Sequence, residues 1–415
     1  MTGWFGEPPG GWPPVTVIGY DGSALSAEAA AAVAGAGLVV GGSRHLAALM
    51  LVSGVETVIM GNLDAAVARI VAARSEGRPS VVLASGDPGF FGIVRRLTTG
   101  RDPIRVTVLP ARSSVATAFG RLGVPWDDAV VVSAHGRPLR PALNVLRRFA
   151  GTPQRVAVLT DADSSPARIV EDLGDDCPAL HVFERLGEPD ERHSRIDRDD
   201  VSRKQAREHA WEAPNLVVTA EADVQPAAPW LLGEPGYAPE QWALPDDAFL
   251  HRDGMLTKRD VRAVVLARLA PRRGCLIWDV GAGSGSVAVE CARLGAAAIA
   301  IEQDPERNFL ADNAGPWNVK LVRGSAPEAL VGLPQPDAVF VGGGGPEVVA
   351  AVAAVRPERV VVALATLERV APTVAALQGY DVDTVMLQVS HLHPLGEGHR
   401  LAPANPVFVI SGVLP

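Results

Sequence analysis

At 415 residues the chain has room for two or three domains, and its 47% hydrophobic content supplies material for more than one core. The formal charge of −9 mixes both signs along the chain, which argues against a nucleic-acid partner, since that class needs concentrated basic surface. Three scattered cysteines (Cys177, Cys275 and Cys291) suggest neither a disulfide framework nor a metal site, and no 18-residue apolar run marks a membrane span.

In chain order, residues 1–14 are rich in Pro, Gly and Trp and lack the basic start and apolar core of a signal peptide. A loose tail on a cytoplasmic protein is expected. Val15 to Gly19 then reads as a strand ending in the loop Gly19-Tyr-Asp-Gly22, and Ala24 to Ala34 as a helix. Leu38-Val-Val-Gly41-Gly42-Ser-Arg44-His45 is a strand breaking into glycines. Val55 to Ile59 (strand) and Leu63 to Ala73 (helix) repeat the pattern. Ser80 to Gly89 is a strand running into a Ser85-Gly86-Asp87-Pro88-Gly89 turn, whose exposed N–H groups and carboxylate suit a polar ligand. Ile104 to Leu109 precedes Pro110-Ala-Arg112-Ser113-Ser114 and another helix. Strands at Val130, Arg155 to Leu159, Leu180 to Leu186 and Asn215 to Thr219 follow. His135 and Arg137 end the first of these, and the hydroxyls before Ala167 cap a helix. Alternating strands and helices predict layered α/β structure with ligand loops at strand ends. The charged run from Glu184 to Arg207 reads as a solvated face.

Within this stretch "VVLASGDPGFFGI", "ARSSVATAFGRLGVPWDDAVVVSAHGR", "VAVLTDADSSPARI" and "ERLGEPDER" resemble the tetrapyrrole methylases, nearest their corrin-ring branch. The resemblance implies a two-lobed domain over 15–220 that binds S-adenosylmethionine (SAM) between its lobes, with Ser85, Gly86, Asp87 and Gly89 in the cofactor loop. The loop Gly19–Gly22 and Ala111 depart from the family's glycine pattern.

Residues 221–244 carry Pro226, Pro229, Pro235 and Pro239 without apolar periodicity, the mark of a linker; Trp230 and Trp242 suggest that it docks. The second domain, 245–415, opens with Thr257 as helix cap and Asp260 three residues on. Cys275-Leu-Ile-Trp-Asp279-Val-Gly281-Ala-Gly283-Ser-Gly285 reads as a buried strand turning through alternate glycines into a helix. That corner offers unpaired N–H groups to a ligand. The next strand, Ala297 to Ile301, ends in Glu302, placed as α/β nucleotide folds place the acid that holds ribose hydroxyls. A dinucleotide fingerprint needs glycine at 286, where this chain has Ser286, so a nicotinamide oxidoreductase is the weaker alternative. Further strands at Val319, Ala338 (followed by Gly342 to Gly345), Val360, Val382 and Pro406 complete seven, the last antiparallel.

"GMLTKRDVRA", "IWDVGAGSGSVAVE", "AIEQDPERN", "GSAPEAL", "PDAVFVGGGG" and "APANPVFVISG" are similar to the small decarboxylating methyltransferases of corrin synthesis, with a Rossmann-like class I fold. The resemblance puts SAM contacts on Thr257, Gly281, Ala282, Gly283, Ser284, Gly285, Glu302 and Ala326. The fused halves imply two SAM sites and a polycarboxylate tetrapyrrole substrate. Two meso carbons of that substrate gain methyls, and the ring-C acetate loses CO₂. The conjugated ring serves as electron sink, so no metal or further cofactor is expected. Basic wall candidates for the carboxylates are Arg44, Arg112, His135, Arg137, Lys258, Arg259, His391, His393, His399 and Arg400, with His399 favoured by the resemblance. A homo-oligomer is expected. The rival expectation keeps only the second half catalytic, the first serving as a tetrapyrrole-binding scaffold.

Overall fold

A computed structural model describes residues 13–49, 51, 53–99, 103–219, 242–252, 256–304 and 309–415. The expected tail up to residue 12, the linker up to 241, and the segments 253–255 and 305–308 lie outside the described residues.

The first sheet contains β1 (Val15–Tyr20), β2 (Leu38–Gly41), β3 (Glu56–Ile59), β4 (Ser80–Ser85) and β5 (Val106–Leu109), all parallel in the order β3-β2-β4-β1-β5. Helices α1 (Ala27–Ala34), α2 (Ser43–Ala47), α3 (Leu63–Ser75), α4 (Ile93–Thr98) and α5 (Ser114–Leu122) accompany it. The central strands are buried on both faces, as unbroken apolar runs such as Val81–Leu83 require. The second sheet joins β6 (Val130–Ser133), β7 (Val156–Leu159), β8 (Leu180–Glu184), β9 (Arg192–Ile196) and β10 (Asn215–Thr219) in the order β6-β7-β10-β8-β9. Only β6 and β7 run parallel. Its helices are α6 (Arg140–Phe149), α7 (Pro166–Leu173) and α8 (Asp200–Glu208).

Two elements occupy the charged run expected to be merely solvated. Edge strand β9 buries Ile196, and α8 buries Arg203 and Ala206. Each contributes so little apolar surface that neither period stands out in the sequence.

The third sheet is seven-stranded. It comprises β11 (Leu276–Val280), β12 (Ala297–Glu302), β13 (Lys320–Arg323), β14 (Ala338–Val341), β15 (Arg359–Leu364), β16 (Asp381–Leu387) and, past a hairpin of β17 (Ser390–Leu395) and β18 (Gly398–Pro403), β19 (Val407–Val413). The order is β13-β12-β11-β14-β15-β19-β16, with β19 antiparallel to both neighbours. This is the expected α/β class. Helices α9 (Arg259–Leu269), α10 (Ser286–Arg293), α11 (Leu310–Ala314), α12 (Pro346–Ala354) and α13 (Val370–Ala376) pack on it.

Thr257 is not the cap of α9. The helix starts at Arg259, and its N–H donates to Asp246 Oδ1 at 2.8 Å, so a distant carboxylate caps it. Ala243 and Leu244, expected in the linker, already pack on this domain: Leu244 N donates to Glu290 Oε1 at 2.6 Å.

Helix α6 ties the halves together. It is buried nearly all round, from Ala142 to Phe149. One face covers the second sheet. From the other, Asn144 Nδ2 donates to Gly274 O (3.1 Å) and Arg148 Nε to Ala292 O (3.0 Å). In return Asn318 Nδ2 donates to the carbonyls of Arg147 and Arg148. Arg140 pairs with Asp337, and Lys320 with Asp176 at 2.7 Å.

Candidate functional site

The carboxyl ends of β11, β12, β14 and β15 open onto a cleft of about 720 Å³, where ligands of open α/β sheets bind. Of the expected contacts, Thr257, Gly281, Ala282, Gly283, Glu302 and Ala326 line it, as does Lys258. Ser284 and Gly285 lie behind the corner. Ser284 is 1% exposed, and its Oγ has no partner among the described residues. Gly285 has φ +76°, where glycine is favoured, and a Cβ there would also stand 2.3 Å from Leu310 Cδ1 of α11. Gly281 (φ +70°) answers a similar need, because a Cβ would lie 2.9 Å from Gly343 N on the adjoining loop.

Glu302, 9% exposed, ends β12 at the cleft wall. Its Oε2 accepts from Gly283 N at 2.9 Å, which holds the glycine corner. Among the described residues its Oε1 has only a long bond from Asp304 N, 3.4 Å, and keeps accepting capacity. Beneath the corner, Asp279 is 1% exposed; Oδ2 accepts from Ala288 N at 2.9 Å and caps the first turn of α10, while Oδ1 has no partner among the described residues. Burial pushes the Asp279 carboxyl up to about 7; the Ala288 N–H opposes the rise and the charge of Glu302 adds to it.

The opposite wall is held by Arg262. Fully buried, it donates to Thr257 O at 2.5 Å and to Leu244 O, pairs with Glu290 and Asp246 at 3.7 Å, and stacks on Phe249 at 4.6 Å. The sequence reading missed it, although an arginine inside an apolar helix was the available signal. It also missed Gln303, Asp304 and the ridge Gly342–Gly344 as cleft walls. The residues fit SAM: bare main chain and an acid with spare acceptors suit ribose hydroxyls, and carboxylates on the wall suit a sulfonium.

The basic candidates of this half disperse. Lys258 reaches Asp246 at 3.6 Å, and Arg259 Nε donates to Ala243 O. His391, His393, His399 and Arg400 stand exposed on the β17–β18 hairpin, and none lines the cleft; His391 faces Asp260 at 3.6 Å.

In the first half, Ser85, Gly86, Asp87 and Gly89 sit at the carboxyl end of β4. Asp87 Oδ1 accepts from Gly89 N at 2.8 Å and shapes its own turn. Ser85 Oγ meets His45 Nε2 (3.2 Å) and Arg44 Nη2 (2.7 Å). His45 is held down to about 4 by burial and by Arg44, against the pull of Glu188. Arg44 pairs with Glu188 at 2.7 Å and Arg112 with Asp21 at 3.0 Å, so these two candidates serve as ties. The loop Gly19–Gly22 presses on the loop Arg185–Glu188: a Cβ on Gly22 would lie 2.2 Å from Gly187 O. His135 Nδ1 meets Thr160 O at 3.1 Å, and the Arg137 guanidinium sits 5.8 Å from the Phe91 ring, across to the β4 loop. Asp161 accepts from Gly136 N at 2.6 Å and from Ser164; burial opposes, but these bonds and His135 hold its carboxyl down to about 2.

Among the described residues no cluster is fit for a metal, and no helix is long and apolar enough to cross a membrane. Residues 18–201 match the family of Tetrapyrrole (Corrin/Porphyrin) Methylases, and residues 247–413 match the Precorrin methyltransferase domain. A Sinorhizobium protein named precorrin-6Y C(5,15)-methyltransferase [decarboxylating] is 39% identical over 348 residues, 81% of this chain and 79% of that protein. A Salmonella typhimurium cobalt-precorrin-6B C(15)-methyltransferase (decarboxylating) is 36% identical over 181 residues, 40% of this chain and 93% of that protein. The crystal structure of a precorrin-6Y C5,15-methyltransferase from Geobacter metallireducens is 34% identical, covers 42% of this chain and 97% of its own, and has a TM-score of 0.39. These matches set the nicotinamide reading aside, and the chain belongs to the precorrin-6Y C(5,15)-methyltransferase (decarboxylating) family.

Proposed function

We propose that the chain methylates precorrin-6Y at C-5 and C-15 with SAM and releases the ring-C acetate carboxyl as CO₂, giving precorrin-8X. The observation that carries this reading is the corner Gly281–Gly283 clamped by Glu302 inside a cleft large enough for a nucleoside. The family membership supports it. SAM supplies an electrophilic methyl when bound; the residues orient it. Glu302 Oε1 accepts hydrogen bonds from ribose hydroxyls, and Arg262 holds Thr257 by its carbonyl against the cofactor's far side. Methyl transfer needs in-line placement more than a strong base, and such positioning contributes several kcal/mol.

The second half acts at C-15 with decarboxylation, a division supported by the stand-alone Salmonella relative's name. The first half acts at C-5 with a second SAM at Ser85–Gly89. A second reading leaves the first half a tetrapyrrole-binding scaffold. It draws on the contact of Gly22 with Gly187 and the ties Arg44–Glu188 and Arg112–Asp21, which close loops over that end. A first domain over 15–220, a second that takes in Ala243 and Leu244 ahead of the expected 245–415, assembly as a homo-oligomer and action in the cytoplasm belong to the same proposal. Mass spectrometry of precorrin-6Y incubated with the protein and SAM tests it: two methyls gained and one CO₂ lost are expected. One methyl gained with CO₂ lost selects the scaffold reading, and an unchanged mass refutes both.

A further inference from the structure

A second cavity, of about 300 Å³, adjoins the cofactor cleft. The two share the ridge Gly342–Gly344 and the end of β15 at Ala363–Ala365. Two polar residues of the α13 segment line it. Thr373, 2% exposed, lines its wall and brings a hydroxyl that can donate or accept a hydrogen bond. A hydroxyl and a guanidinium on one small cavity suit a group that accepts hydrogen bonds. Arg369 stands exposed at the mouth, where one Nη1 donation to Gly344 O at 3.1 Å pins the guanidinium. No carboxylate of the described residues pairs with it, and its other N–H groups are available. Glu347 lies over the backbone of Gly345 and occupies the amino end of α12, so that helix end is not offered; neither Glu347 nor Glu368 lines the cavity.

We propose that this cavity is the subsite for one carboxylate arm of the tetrapyrrole, with Arg369 as its ionic anchor and Thr373 donating a hydrogen bond. The inference rests on the functional reading above. At about 300 Å³ the cavity stands at the bottom of the range of about 300–1,000 Å³ for whole small molecules, too small for a macrocycle but roomy enough for one of its side arms. An arm seated beyond the glycine ridge leaves the ring edge above the cleft, where the methyl is delivered. A planar cation and a buried hydroxyl select a carboxylate over an apolar substituent, and so contribute to which edge of the ring is presented.

The test uses the full-length chain and the variants Arg369→Gln and Thr373→Val, the second of nearly the same volume. Three quantities are measured: KM for precorrin-6Y, SAM affinity by calorimetry, and affinity for uroporphyrin, a stable polycarboxylate porphyrin, by its fluorescence. Arg369→Gln is expected to raise KM and weaken uroporphyrin about 10- to 100-fold, and Thr373→Val about 3- to 10-fold, with SAM affinity unchanged. Parent-like KM and uroporphyrin affinity in both variants overturns the subsite. A parallel loss of SAM affinity also overturns it, by giving the cavity to the cofactor. A parent that binds uroporphyrin but leaves precorrin-6Y unmethylated refutes the functional reading instead, and the variants' uroporphyrin affinities then still decide the subsite.

Discussion

Asp279→Asn probes the buried carboxylate under the glycine corner. Burial first, then Glu302 against the opposing Ala288 N–H, pushes Asp279 from its ordinary 3.8 up to about 7. The folded chain therefore holds a proton over a range in which the unfolded chain has released it. The sign follows: this contribution to stability is complete below about pH 4 and is lost as pH rises toward about 7. A rise of about 3 units at about 1.4 kcal/mol each corresponds to a loss on the order of 4 kcal/mol. Asparagine keeps an oxygen for Ala288 N–H and carries no charge to desolvate, so its contribution is flat across this window. Any fixed cost of burying its amide shifts both ends equally. Urea unfolding of parent and variant, followed by tryptophan fluorescence between about pH 5 and pH 8, reads the effect. The variant should gain on the parent by roughly 1 kcal/mol per pH unit up to about 7, and then hold level. A difference that stays constant with pH would show that Asp279 is ionised throughout and would refute the reasoning.

Glu302→Ala should weaken SAM in the second half by about 1–3 kcal/mol, seen by calorimetry, since it removes both the clamp on Gly283 N and the ribose acceptor. Unchanged affinity counts against the assignment. Asp87→Ala, which undoes the turn at Gly89, should impair methylation at C-5 and spare decarboxylation; the opposite pattern reverses the division of labour. Asn144→Leu leaves Gly274 O without its donor and should destabilise the contact between the halves by about 1–3 kcal/mol, read as faster limited proteolysis between them. Parent-like cleavage would mean that α6 is not what joins them.

Much of the architecture is legible in the chain because its signals are local. Unbroken apolar runs such as Leu276–Trp278 have nowhere to go but a doubly covered sheet, and glycines at 281, 283 and 285 force a turn wherever the strand ends. The reason for each glycine is not local. Gly281 makes room for Gly343 and Gly285 for Leu310, partners 62 and 25 residues away in sequence (343 − 281 and 310 − 285). The candidate site divides the same way. Glu302 follows from strand spacing, whereas Gln303, Asp304 and the Gly342–Gly344 ridge enter only because four strand ends converge.

The sequence by itself determined the alternation of strands and helices, the order of the halves, the glycine corner and the acid that follows it, because period and turn chemistry act over a few residues. Only the tertiary structure decided what those residues face. Asp246 rather than Thr257 caps α9, α6 spends one face on the other half, and the hairpin histidines stand away from the cleft. Burial and electrostatics depend on groups brought together across the chain, so the raised carboxyl of Asp279 and the burial of Thr373 beside the cleft exist only in the folded protein.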